Sequence, residues 1–381
     1  MRDRIIGIDI ARGFAILLVT WKHSMASFGA RGELQGWAHF GLEFVMQLAT
    51  PIFLILFGAM LELVYRPRFE RGLERDTARR LYKRSLQCYG YYCLAIVVFF
   101  VVMGTYSWMS LPLVFTGFIS VPYSHLLAFY TAALALAPLL IIARIKFGLL
   151  SIVGSALLIQ ALHPVISHIP AAPELFERDY LQHMSGFLYG KGVDFMGPSL
   201  IHGLSLVGLG MLFGYGLQPN QTAAALGKSV PTISICMALG CVATIALCII
   251  WQAPLEAIHT LISAELRITS HPLYFAIGTL GAICVTWLFI ALNDIWAVGV
   301  GRSLRVFGRR SLFAFGIGNI LAHVAPPSLT SLLGLWGCVI GLFGLVCGLT
   351  LIYDQVEKRQ ALSGIVTSIR NGFSRLEQSA G

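Results

Sequence analysis

Residues 5–26 read IIGIDIARGFAILLVTWKHSMA, an apolar stretch of membrane-spanning length that holds Asp9, Arg12, Lys22 and His23 inside it. Arg12 and His23 are eleven residues apart. On a helix they fall within roughly 20° of one another and about 16 Å apart along the axis. One helix face therefore joins the two membrane boundaries through a guanidinium and an imidazole. Asp9, three residues before Arg12, is placed to pair with it. Charge at this depth is costly and usually faces a cavity or a partner. The competing reading is that Arg12 snorkels inward and His23 rests in the outer interface. The same charges argue against a removable signal segment, so the stretch reads as a retained first helix.

The rest of the chain agrees with a bilayer as solvent. Of 381 residues, 57% are hydrophobic and only 12% charged, whereas soluble domains carry roughly twice that share of charge. Lipid satisfies no backbone groups, so each span is expected to be helical. The expected fold is all-α, a polytopic integral membrane protein of about ten transmembrane helices. They fall near 5–26, 41–64, 85–104, 123–143, 147–163, 198–217, 231–251, 272–292, 307–323 and 331–353. The stretch 108–120 is an alternative or re-entrant element. Residues 1–353 form a single transmembrane domain, and 354–381 a short tail.

Charge orients these spans. With an even count and both termini cytoplasmic, the inner segments hold 21 of the 27 Lys and Arg, and the outer loops four. This is the positive-inside bias. The net charge of +9 then implies no nucleic-acid partner. Much of it sits in the first inner loop, RPRFERGLERDTARRLYKR (66–84). That loop either touches anionic lipid headgroups or holds a phosphate-rich cytoplasmic ligand through Arg79, Arg80, Lys83 and Arg84. Eight cysteines lie within apolar spans and form neither a metal pattern nor a disulfide framework. Glycines 334, 337, 341, 344 and 348 share one face of the last span, which suits close packing of another backbone.

The ten histidines are His23, His39, His125, His163, His168, His183, His202, His259, His271 and His323. All fall in outer loops or near outer helix ends of this topology. Histidine exchanges protons near neutral pH. Candidates to line an outer cavity are His23, His125, His202 and His323, with Asn319 one turn before His323. Glu43, at the outer end of the second span, is a candidate to orient His23, or else an ordinary solvated helix end. The outer loop 164–197 mixes Glu174, Glu177, Asp179 and Asp194 with Phe176, Tyr180, Phe187, Tyr189 and Phe195. This suits a polyol, and equally a loop lying among headgroups. No metal site is expected, and no nucleotide loop or hydrolase elbow is present.

The opening RIIGIDIARGFAILLVTWKHS (4–24) resembles the first helix of the acyltransferase family 3 membrane proteins, whose signature is a basic residue, ten residues, then histidine. TPIFLILFGAMLELVYRPRF (50–69) and RRLYKRSLQCYGYYCLAI (79–96) look like that family's second helix and its basic entry to the third. VFGRRSLFAFGIGNILAHV (306–324) looks like its late helix, and SVPYSHLLAFYTAALALAPLL (120–140) like the fourth helix of its glucan-biosynthesis protein C branch. The sequence departs from the pattern at Phe57-Gly58, at Lys83 and at His125. The resemblance implies a cell inner-membrane enzyme that moves an acyl group from cytoplasmic acyl-CoA, a co-substrate with no further cofactor, to a hydroxyl of a glycan or other polar acceptor outside. It implies His23 as the catalytic histidine, Arg12 on the donor path and residues 79–84 on the donor's phosphates. A transporter or flippase for a polar lipid or sugar, and a structural assembly subunit, stay open. The acyl chain, acceptor and oligomeric state are not specified.

Overall fold

The computed structural model describes residues 5–104, 111–116, 121–174, 180–192, 197–217, 232–251 and 265–379. Glu177, Asp179, Asp194, Phe176, Phe195 and His259 lie outside them. The described chain is helical and contains no strand. In order come α1 (Ile6–Ser27), α2 (Gly36–Glu70), α3 (Glu74–Met103), α4 (Leu111–Phe115), α5 (His125–Ala161), α6 (His163–His168), α7 (Tyr180–Tyr189) and α8 (Leu200–Leu217). Then follow α9 (Thr232–Trp251), α10 (Glu265–Ile268), α11 (Pro272–Ile295), α12 (Leu304–Arg309), α13 (Ser311–Val324), α14 (Thr330–Leu333) and α15 (Leu335–Ser379).

Among the described residues, seven helices are long and apolar enough to cross a membrane: α2, α3, α5, α8, α9, α11 and α15 as far as Gln360. The expected ten are not reached by that measure, for identifiable reasons. The polar residues of α1 lower its hydropathy. At 14 residues, α13 spans about 21 Å, less than the hydrocarbon core. The third reason lies in α5, which is broken at Gly148 (φ 82°, ψ 172°), a left-handed conformation that glycine adopts readily. Residues 129 and 160 would stand about 46 Å apart on one straight helix. Yet the Phe129 ring rests on Gly203, and Gln160 donates to Ser205 Oγ at 2.5 Å, both within one turn of α8. The chain therefore reverses at Gly148, and α5 is two antiparallel arms in place of one long rod.

Backbone contact holds the centre together. A Cβ at Gly58 would strike the α8 backbone around Gly210, and one at Gly210 would strike Ile55. Gly13 and Gly308 face each other in the same reciprocal way where α1 crosses α12. These crossings do what the sequence suggested for the last span, whose glycines behave otherwise. Gly341, Gly344 and Gly348 have nothing within 4 Å; α15 packs through Cys338, Val339, Leu342 and Val346. It also continues as helix past residue 353.

The arginine-rich end is pinned by buried ion pairs. Glu62, 0% exposed, sits in a π-turn of α2 and accepts from Arg144 of α5 at 2.9 and 3.1 Å, with Arg66 at 3.1 Å. Asp354 of α15 receives Arg310 at 2.9 Å and Lys358 at 2.6 Å. Asp294 closes the start of α1, accepting from the N–H groups of Ile6 and Gly7 at 2.8 and 2.7 Å. A carboxylate at a helix N-terminus satisfies donors that have no intrahelical partner. Removing one partner of a buried pair leaves an uncompensated charge. Glu62→Ala is thus expected to cost about 3–5 kcal/mol, measured by detergent-resistant unfolding, and Glu62→Ala with Arg144→Met to recover most of it.

Candidate functional site

The site is built on the face shared by α1 and α13. Arg12 donates to Ser311 Oγ at 2.9 Å, and His23 Nδ1 lies 2.9 Å from Asn319 Oδ1. Both pairs advance in the same direction, so the helices run parallel and the Arg12–His23 stripe turns inward against α13. Asp9 does not pair with Arg12 as the spacing suggested. Its ion pair is with Arg305 of α12, at 3.6 Å, because the Gly13–Gly308 crossing brings α12 against that turn.

A cavity of about 410 Å³ opens beside Arg12. Arg84, Arg309, Arg310 and Ser311 join Arg12 in its polar wall. Phe53, Phe57, Tyr130, Leu126 and Phe315 make an apolar one. His23 itself does not line the cavity; Phe315 stands between, its ring centroid 5.9 Å from the imidazole. The cavity therefore reaches Arg12 and Ile16 and stops at a phenyl ring.

Around His23 the hydrogen bonds fix the proton. Asn319 is 0% exposed and its Nδ2 donates to the Tyr123 carbonyl at 2.9 Å. Its Oδ1 is then the atom facing His23, and an amide oxygen only accepts. In neutral His23 the hydrogen must sit on Nδ1, leaving a lone pair on Nε2. Tyr123 holds φ at 63°, a left-handed conformation that costs a bulky residue about 1–3 kcal/mol. Its ring packs on both His23 (4.8 Å) and His323 (5.2 Å). His323 is 6% exposed, and its Nε2 has no hydrogen-bond partner.

The other expected residues divide. Asn319 and His323 join His23. Glu43 does not: it is 2% exposed and takes Arg31 on both oxygens at 2.6 Å, and the side chain bonded to the imidazole is Asn319. Of the basic cluster, Arg84 lines the cavity, while Arg79, Arg80 and Lys83 are exposed and outside its wall. His125 lines a separate apolar cavity of about 340 Å³ with His183 and Phe187. His202 bonds Ser199 Oγ at 2.8 Å and packs near His163. Among the described residues no group of three or more His, Cys, Asp or Glu is arranged for a metal. Arg309, Arg310 and Ser311 were missed as wall residues. Their signal was an Arg-Arg-Ser run opening the ninth span, two helical turns before Asn319.

Fold and site together define a multi-pass helical membrane protein with a guanidinium and an imidazole on one helix, both held by α13. The family model described as OpgC protein matches residues 4–119, under a third of the chain, from α1 through α4. That stretch contains Arg12, His23 and Arg84; Ser311, Asn319 and His323 lie beyond it. No curated protein matches the chain.

Nitrogen spectra of imidazole-labelled protein will show neutral His23 protonated at Nδ1, with Asn319→Leu abolishing that preference. A wild-type hydrogen on Nε2 would mean that the amide points the other way and that His23 offers no base there.

Proposed function

We propose that this protein is a membrane acyltransferase of the acyltransferase family 3 kind. In this reading the chain crosses the cell inner membrane ten times, with α1, α13 and the two arms of α5 among the crossings and both termini cytoplasmic. The placement of basic residues supports the orientation. The observation that carries the function is the chamber between Arg12 and Phe315, which ends where an oriented imidazole begins.

The donor is acyl-CoA. Arg84, Arg309 and Arg310, at the arginine-rich end of the chamber, are suited to its phosphates, since guanidinium binds phosphate in a forked geometry. The apolar wall then receives the acyl group, and Arg12 lies against the thioester end. A glycan or similar polar acceptor arrives from the histidine-rich side. His23 Nε2 takes the proton of its hydroxyl while the oxygen attacks the thioester carbonyl. The carbonyl oxygen takes up negative charge, which Arg12 stabilises. The C–S bond breaks, the proton passes from His23 to the leaving thiolate, and the products are an ester and free coenzyme A. Phe315 must turn aside for the two substrates to meet.

Purified protein given acyl-CoA and a polyol acceptor is expected to release free thiol and form ester. His23→Ala should lower kcat by about 10²–10⁴, the range for general-base loss, and Arg12→Ala by a similar order. Transport of an unmodified substrate with no ester formed would favour a flippase instead.

A further inference from the structure

Lys22 precedes His23 on α1 and is 8% exposed. Among the described residues it makes neither a hydrogen bond nor an ion pair. It lies within electrostatic reach of Arg267, Glu43 and Arg31. Arg267, on α10, faces the same group together with Tyr274. Its Nε is buried and has no hydrogen-bond partner, and no carboxylate lies within ion-pair distance among the described residues. Among the described residues Glu43 is the carboxylate in reach of both side chains, and both its oxygens are engaged by Arg31. Three basic side chains, Lys22, Arg31 and Arg267, thus surround one already paired carboxylate. His23 is in electrostatic reach of both Lys22 and Arg267.

Such an excess is unusual in a membrane interior. A buried charge without a counter-ion is destabilising unless something pairs with it. A cation pair next to a reacting group commonly serves to hold a ligand's charge. We propose that Lys22 and Arg267 form an anion-binding subsite on the histidine-rich side of His23, taking a carboxylate or phosphate carried by a substrate. Arg267 offers a planar fork and Lys22 a compact point charge, which together suit either oxyanion. The anion enters beside His23 on the side away from the chamber that Arg12 lines. The proposal deepens the acyl-transfer reading and takes from it only the role of His23. The charged group belongs either to the acceptor or to the far end of the acyl group; the anion chemistry is the same.

The test needs no acyl transfer. Purified full-length protein in neutral detergent is titrated with inorganic phosphate and with malonate, at ionic strength matched with chloride, and melting is followed. Wild type should show a saturable rise in Tm. Lys22→Met should melt higher than wild type without added anion, because it removes a buried amine that has no partner. It should also lose the anion response, with apparent affinity falling about tenfold or more, while Lys22→Arg keeps it. A wild type without a saturable rise would overturn the proposal, and so would a Lys22→Met variant that responds as wild type does or melts lower in the absence of anion. With an active preparation, a KM raised in Lys22→Met only for anionic acceptors places the charge on the acceptor. A KM raised only for acyl donors ending in a carboxylate places it on the donor. A KM unchanged for all of them would overturn the subsite. Loss of acyl transfer alone, with anion binding intact, would count against the enzyme reading and leave the subsite standing.

Discussion

A guanidinium and an imidazole placed on one membrane helix must find partners inside the protein, because hydrocarbon supplies none. That constraint organises the molecule. Ser311 and Asn319 meet it from α13, and the Gly13–Gly308 crossing lets α12 and α13 come close enough to do so. Asp294 and Arg305 complete the arginine-rich end of α1. The remaining helices pack around this assembly, and the polar side chains leave room beside Arg12 that an all-apolar helix pair would have closed.

The site has a polar half and an enclosed half. At the chamber, three further arginines stand near Arg12, and two of them are held by carboxylates: Arg309 by Asp354, and Arg310 by Asp354 and Glu357. At the imidazole, orientation comes from an amide fully withdrawn from solvent and from a tyrosine held in a strained backbone conformation. Local strain of this kind persists only where the surroundings impose it. Phe315 divides the two halves. In the proposed transfer this ring would keep donor and acceptor apart until it turns aside.

Much of this was legible in residues 5–26. The eleven-residue spacing placed Arg12 and His23 on one helix face, and both make their contacts on α13. Hydropathy found the long apolar helices, and the division between spans 123–143 and 147–163 falls at Gly148. Partner choice was not legible. Asp9 and Glu43 were assigned by nearness in sequence or by boundary, whereas crossing geometry gave them to Arg305 and Arg31. The exposed glycine face of α15 shows the same limit: spacing reveals which residues share a face, not what covers it. Asn319 was noticed through His323, although its contact is with His23, nearly 300 residues away.

The proposed acyl transfer requires a water-accessible chamber reached from the arginine-rich face and bounded by the first helix. Phe57→Cys, in a chain otherwise freed of cysteine, places a thiol on the chamber wall. A membrane-impermeant thiol reagent applied at the cytoplasmic face of oriented vesicles should label it, and acyl-CoA should slow the labelling. Reaction only with lipid-soluble reagents, or equal labelling with and without acyl-CoA, would contradict the account.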